Sequence, residues 1–260
     1  MKPRLKAGKR SPLDRKPPRN PGESLQLARE RLVEDEWVPY VFLASVFVLY
    51  AVYEWMRWYF QVQPQPELVS IIALIAVGCC VYKYFGVRRR VKAFRLGEEG
   101  EREVGHFLEG LRAKDCHVFH DIVGGGFNID HLIISPRGIF LIETKTFSKP
   151  IRGRCDVEFD GRRLLVNGQV PTRDPIKQVH ALSRWLRDLL MEKTDRRFPI
   201  QCVVVFPGWY THMRTENKSD VWVLNPKMLP AFIEREPILI KPEDVALVSS
   251  RITAHMQTVK

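Results

Sequence analysis

The sequence predicts a mixed α/β domain preceded by a hairpin of two transmembrane helices. Two long apolar runs lie in the first third of the chain, at residues 38–60 and 68–85. They are followed by a middle section of short strand patterns bracketed by helical patterns, and this order favours an α/β core with a mixed sheet. The 260 residues suffice for one or two domains.

The two apolar runs have the length and composition of membrane spans. Only Glu54 and Arg57 interrupt the first run, and a spanning helix needs about 20 apolar residues. The second run is slightly short, but Lys83 can reach the interface and lengthen it. Two buried helices or a cleaved signal peptide are the alternatives. Both are disfavoured, because the runs lack polar faces and begin far from Met1.

Basic residues set the expected orientation. Lysines and arginines are frequent in residues 1–19 and again from Arg88 to Arg95, whereas residues 61–67 contain neither. Positive residues stay cytoplasmic, so we expect both termini in the cytoplasm and two spans in the cell (inner) membrane. The predicted map is a basic, largely disordered tail (1–36), two spans (37–60 and 68–85) around an external loop (61–67), a basic connector (86–96), the main domain (97–212) and a completing C-terminal part (213–260).

The sequence of the globular part predicts a series of short helices and strands. A helix is expected over 98–113, with Val104, Phe107, Leu108 and Leu111 facing inward. The remaining expectations are a strand at 117–123, a glycine loop at 124–126, a hairpin centred on 135–138, a second hairpin over 157–168, a helix over 174–192, strands at 202–206 and 221–224, and helices over 226–234 and 243–256.

The hairpin centred on 135–138 carries the strongest chemical signal. Its turn has proline second and glycine last, as turn stereochemistry favours. Antiparallel pairing around that turn places Asp130 across from Glu143, with Lys145 on the same face as Glu143. Like charges on facing residues are destabilising. A divalent cation between the two carboxylates would remove that repulsion, so the pattern predicts a metal site.

Five short segments in this part of the chain carry a family resemblance. They are Gly97-Glu98-Glu99-Gly100-Glu101, Ile129-Asp130-His131, Pro136-Arg137-Gly138, Ile142-Glu143-Thr144-Lys145 and Pro175-Ile176-Lys177-Gln178. In this order, from residue 97 to about 208, they resemble the nuclease-related domain proteins of the PD-(D/E)XK nuclease superfamily. Asp174 stands where the family pattern has asparagine.

The resemblance implies a restriction-endonuclease-like core of a helix, a three-strand antiparallel meander, a helix and further strands in a mixed sheet. It also implies a site in which Mg²⁺ or Mn²⁺ is held by Asp130, Glu143 and the carbonyl of Thr144. Lys145 would hold the attacking water, and Gln178 would help position the site. Glu101 starts the inward stripe of its helix, where family members have an acid near the metal. Its ordinary alternative is an acid favoured by the helix dipole.

The expected function is hydrolysis of nucleic-acid phosphodiester bonds in the cytoplasm by a membrane-anchored enzyme, with DNA favoured over RNA and the lipid bilayer as second partner. The alternative is a catalytically inactive module that binds nucleic acid or serves as a scaffold at the membrane. In that case Asp130, Glu143 and Lys145 would form a structural ion-pair cluster. The net charge of +11 is compatible with binding to nucleic-acid phosphates or to anionic lipid. The densest basic clusters flank the spans, so membrane topology and lipid account for much of this charge.

Histidine and cysteine patterns exclude two other kinds of site. His117 and His120 point to opposite sides of one strand, and His131 points away from Asp130, so we expect structural or surface histidines. The five cysteines contain no Cys-x-x-Cys pair. Neither a structural zinc site nor a disulfide framework is therefore supported.

Overall fold

The computed structural model describes residues 20–36, 38–62, 66–149, 155–213 and 219–258. Residues 1–19 of the predicted tail and residues 63–65 of the predicted loop lie outside this set. The later part of that tail, Glu23–Glu36, was expected to be largely disordered but is helical. The α-helices are α1 (Glu23–Glu36), α2 (Val38–Tyr59), α3 (Pro66–Glu109), α4 (Pro175–Thr194), α5 (Leu229–Arg235) and α6 (Pro242–Thr258). The strands are β1 (His117–Val123), β2 (Asn128–Ser135), β3 (Gly138–Thr144), β4 (Asp156–Phe159), β5 (Leu164–Val166), β6 (Ile200–Val205), β7 (Tyr210–Met213) and β8 (Val221–Leu224).

Helices α2 and α3 pack against each other. In the described part of the chain, these two helices are long and apolar enough to cross a membrane. Their outer surfaces remain apolar, and Phe42 and Leu74 are each 72% exposed. Apolar surface of that extent is unfavourable in water, which is weak evidence for association with a membrane.

Helix α3 differs from the predicted boundaries. The expected connector at 86–96 and the separate helix at 98–113 are replaced by one helix of 44 residues that ends at Glu109 and is followed by a 3-10 turn, Gly110–Lys114. Residues 86–96 contain no proline, so the hydrogen-bonded ladder of the second apolar run continues into the domain.

A five-stranded mixed sheet forms the centre of the domain, in the order β1-β2-β3-β6-β8. The first three strands form the predicted antiparallel meander, while β6 pairs parallel to β3 and β8 pairs parallel to β6. Helix α4 makes the crossover from β3 to β6, as parallel pairing requires. The predicted mixed α/β architecture is confirmed.

Apolar cores lie on both faces of this sheet. Helices α4 and α6 cover one face, around residues such as Leu141, Val179 and Val204. The C-terminal part of α3 and helix α5 cover the other face. Val104, Leu108 and Leu111 are buried there as predicted, but Phe107 is 37% exposed and was wrongly assigned to the stripe.

A second sheet of three strands, in the order β5-β4-β7, extends the domain. The predicted hairpin at 157–168 supplies β4 and β5, which pair antiparallel. Strand β7 was not predicted; it pairs parallel to β4, on the side of β4 opposite β5. Tyr210 and His212 of β7 are exposed, so this strand lacks the continuous apolar pattern of a buried strand.

Candidate active site

The β2–β3 hairpin has the register that the sequence predicts. Ser135 pairs with Gly138 and His131 pairs with Ile142, so Asp130 and Glu143 are the next facing residues toward the open end of the hairpin. Gly138 has φ of 141°, a backbone conformation that favours glycine and closes the turn. The two carboxylates therefore lie on neighbouring strands, β2 and β3, at the end of the hairpin away from its turn.

Lys145 and Gln178 lie together beside Glu143. The Lys145 ammonium donates to Glu143 Oε1 at 2.7 Å and to Gln178 Oε1 at 2.8 Å. The Gln178 amide nitrogen also donates to Glu143 Oε1, at 2.7 Å. Gln178 lies in the first turn of α4, whose start is fixed because Asp174 accepts hydrogen bonds from the N–H groups of Ile176 and Lys177.

Asp130 is held by the strand that faces it. Its Oδ2 accepts a hydrogen bond from the Thr144 backbone N–H at 2.7 Å. Burial raises the pKa of Asp130 well above its usual range, and the Glu143 carboxylate raises it further. Burial likewise raises the pKa of Glu143, although the Lys145 ammonium opposes that shift. Burial thus makes both carboxyls harder to ionise than they are in water.

Glu101 joins these residues from helix α3. It is 9% exposed. Burial raises its pKa from 4.5 to about 8, and the carboxylates of Glu143 and Asp121 contribute to the shift. The structure thus brings together five side chains, called the acidic cluster below: Glu101, Asp130, Glu143, Lys145 and Gln178. Thr144 lies between Glu143 and Lys145 in the chain.

Asp121 is an additional member of this cluster that the sequence analysis missed. The pairs His120–His131 and Ile122–Ile129 bracket it, so it lies across from Asp130 on β1. It is 2% exposed, has φ of 51°, and accepts a hydrogen bond from the Asn128 side chain at 3.0 Å. Its position depends on the register of β1 against β2, which the flexible glycine loop between these strands leaves undetermined at the level of sequence.

The side chains present suit a hard divalent cation. Glu143 Oε2 is buried and has no hydrogen-bond partner among the described residues. Asp130 and Glu143 supply carboxylate oxygens, which Mg²⁺ prefers, and Mg²⁺ is commonly held by one or two carboxylates with water completing its shell. No three His, Cys, Asp or Glu side chains of the described residues are grouped to hold an ion by themselves. The donor set therefore fits an ion that keeps several waters.

Two histidines form a separate buried pair. His120 Nδ1 and His131 Nδ1 are 2.8 Å apart, and His120 Nε2 lies 2.7 Å from Glu109 Oε1. Burial lowers the pKa of both rings. His117 is exposed at the start of β1. The pair lies on the α3 face of the sheet, opposite Asp130, so the expectation of structural histidines agrees with these contacts.

The Pro136-Arg137-Gly138 segment lies at the opposite end of the hairpin from the acidic cluster. The Arg137 guanidinium donates to the backbone carbonyl of Glu236. A cavity of about 380 Å³ adjoins this turn, lined by Pro136, Arg137 and apolar side chains that include Ile233. This part of the resemblance therefore contributes to the closed end of the hairpin rather than to the cluster.

Comparison with known proteins relates the middle of the chain to a known domain family. The chain is 32% identical over 92 residues to an uncharacterized protein of Bacillus anthracis; the alignment covers 34% of this chain and 40% of that protein, so the chain spans less than half of its relative's length. No solved structure matches the chain. Residues 96–207 match the nuclease-related domain family. The match covers the main sheet through β6 and every residue of the cluster, and it supports a nuclease-related domain protein.

Proposed function

We propose that the chain is a membrane-anchored nuclease of the PD-(D/E)XK type that hydrolyses phosphodiester bonds with Mg²⁺ or Mn²⁺. The observation that carries the proposal is the convergence of Asp130 and Glu143 across the hairpin, with Lys145 bonded to Glu143. The match of residues 96–207 to the nuclease-related domain supports the same chemistry.

The cation would be held by Asp130 and Glu143, with the Thr144 carbonyl as a third ligand. When bound, it would polarise the scissile phosphate and lower the pKa of a coordinated water. Lys145 places an ammonium where negative charge develops during attack, which favours the transition state. Its hydrogen bonds to Glu143 and Gln178 fix the amine at 2.7 and 2.8 Å from its partners, so it is already oriented before substrate arrives.

Glu101 has a different role in this proposal. Because its pKa is about 8, it keeps its proton at neutral pH while no cation compensates the cluster. A protonated carboxyl is a hydrogen-bond donor. We assign to Glu101 the exchange of a proton with water or the leaving oxygen, which requires a carboxyl whose pKa lies near the working pH.

The membrane anchor is the second part of the proposal. Helices α2 and α3 would span the bilayer, and the exposed basic side chains Arg88, Lys92 and Arg95 follow the second span on α3. With positive residues retained inside, the domain would lie in the cytoplasm. The protein should stay with membranes in a carbonate wash and be released by detergent. Release by carbonate alone would contradict the anchor.

Cleavage is tested with the full-length protein in detergent and labelled single-stranded DNA, duplex DNA and RNA. We expect cleavage that requires Mg²⁺ or Mn²⁺ and falls by about 10²-fold or more in Lys145→Met. Lys177→Met is the matched control, because the Lys177 side chain is 87% exposed and its ion pair to Asp174 Oδ2 is long, at 3.9 Å. Equal rates for the two variants would contradict the assignment of Lys145.

One observation favours a non-catalytic alternative. Each acid of the hairpin already has a donor within the protein, Thr144 N–H for Asp130 and Lys145 with Gln178 for Glu143. A module that only binds nucleic acid would keep such a network for stability. In that case, salt-dependent binding persists in Asp130→Asn and Lys145→Met, and the wild-type protein cleaves none of the three substrates with either metal.

A further inference from the structure

The N-terminal segment contacts helix α3 beside Glu101. Three glycines make the approach possible. A Cβ on Gly105 would lie 2.6 Å from Pro21 Cβ, a Cβ on Gly97 would lie 3.2 Å from Leu25 Cδ1, and a Cβ on Gly22 would lie 3.3 Å from the Glu98 carbonyl oxygen. Contacts below 3.0 Å are not tolerated, so Pro21 packs where only glycine fits.

These contacts straddle Glu101. Residues 97, 101 and 105 lie on successive turns of one face of the helix. Leu25 packs at the first of these positions and Pro21 at the third. The segment between them therefore runs along the face that carries Glu101, whose side chain is 9% exposed.

An ion pair extends the contact toward the membrane side. Arg29 of α1 lies 3.2 Å from Glu98 Oε2, and Arg102 donates to Glu98 Oε1 at 2.7 Å. The Glu98 side chain is 7% exposed and holds α1 to α3 between the two arginines. On another side of the same helix, a Cβ on Gly100 would lie 2.9 Å from Thr146 Cγ2, directly after Lys145. Helix α3 is thus contacted near Glu101 from two sides, by the N-terminal segment and by Thr146.

We propose that residues 21–29 form a wall of the acidic cluster and position Glu101 against Glu143. The functional domain then begins outside residues 96–207, and the N-terminal segment is part of the site rather than only a tail before the membrane. This proposal rests on the function proposed above for its effect on metal binding. Its structural content, a segment that holds α3 in place, stands independently.

The test uses the full-length protein in detergent and three variants. Gly105→Ala introduces a Cβ into the Pro21 contact while favouring the helix itself. Gly86→Ala is the matched control, because it lies on the same helix with no described atom within 4 Å of the added Cβ. The double variant Gly105→Ala with Pro21→Gly removes the ring that clashes and should restore the contact.

Two readouts are taken, hydrogen exchange of the amides in residues 20–36 and 97–105, and Mn²⁺ affinity by calorimetry. We expect Gly105→Ala to accelerate exchange in both segments and to weaken Mn²⁺ binding about tenfold, as for residues that orient metal ligands. Gly86→Ala should match the wild type, and the double variant should recover both values.

Two results would contradict the proposal that residues 21–29 form part of the site. One is unchanged exchange in residues 20–36 of Gly105→Ala. The other is release of these residues with unchanged exchange in 97–105. If the wild type binds no Mn²⁺, the proposed metal chemistry fails, while the exchange of α3 amides still decides whether the segment holds the helix. If exchange rises but Mn²⁺ affinity stays the same, the segment does not position Glu101.

Discussion

Replacing Glu101 by glutamine should reduce the loss of stability that the protein suffers as pH rises. The pKa of Glu101 is raised from 4.5 to about 8, chiefly by burial and next by the Glu143 carboxylate. Below pH 4.5 this carboxyl is protonated in both the folded and the unfolded chain. Between pH 4.5 and about 8 the folded protein keeps a proton that the unfolded chain has lost, so stability falls as pH rises.

The size of the effect follows from the width of this interval. Each pH unit costs about 1.4 kcal/mol for one such group. From pH 5 to pH 8 the loss is on the order of 4 kcal/mol, a large fraction of the 5–15 kcal/mol typical of a folded domain. The histidine pair acts with the opposite sign, since the lowered pKa of His120 and His131 adds stability as pH rises through about 6.5. Asp130 and Glu143, whose pKa values burial also raises, act with the same sign as Glu101. The difference between wild type and Glu101→Gln therefore measures Glu101 together with its repulsion of Asp130.

The assay is urea denaturation of the full-length protein in detergent and EDTA, at pH 5, 6, 7 and 8. We expect the free energy of unfolding to fall more steeply with pH in the wild type than in Glu101→Gln. Glu103→Gln is the control, because Glu103 is exposed on the same helix and should keep the wild-type slope. Identical slopes for wild type and Glu101→Gln would refute the assignment of a raised pKa to Glu101.

Two further predictions concern elements that position the site. Asp174→Ala should destabilise the protein by about 1 kcal/mol through loss of the α4 cap. Asp174→Asn should keep most of that stability, and urea midpoints of the two variants compare them. Gly138→Ala should destabilise by about 1 kcal/mol or more, because φ of 141° is strained for alanine. The added Cβ would lie 3.7 Å from the nearest atom, so the expected loss comes from backbone strain and not from a steric clash. A urea midpoint equal to that of the wild type would show that the turn relieves this strain by changing conformation.

The hairpin could be predicted from sequence because its constraints are local. The turn, the apolar alternation and the side-chain period of two fix which residues face each other. That is why the sequence alone places Asp130, Glu143 and Lys145 on one face. The role of Gln178 came instead from the family resemblance, which places a glutamine of the site in the first turn of this helix.

The missed features depend on contacts between distant parts of the chain. Asp121 joins the cluster only through the register of β1 against β2, and β7 is a strand only because β4 supplies its partner. The continuous helix α3 was divided in the prediction because its hydrophobic pattern changes near Gly86. Hydrophobicity changes there because the surroundings of the helix change, whereas its backbone hydrogen bonds do not.

The energetics of the cluster favour chemistry over a purely structural role. Burial raises the pKa of Glu101, Asp130 and Glu143, so the fold is less stable with these carboxyls ionised than with neutral residues of similar size. A structural ion-pair cluster would balance its charges, yet in the described part of the chain the hydrogen bonds to the hairpin acids come from a single ammonium, that of Lys145, and from uncharged amides. Acids retained at such a cost are characteristic of sites that bind cations or transfer protons. A divalent cation held by these carboxylates, as proposed above, would restore that stability, so we expect Mg²⁺ to stabilise the protein more at pH 8 than at pH 5.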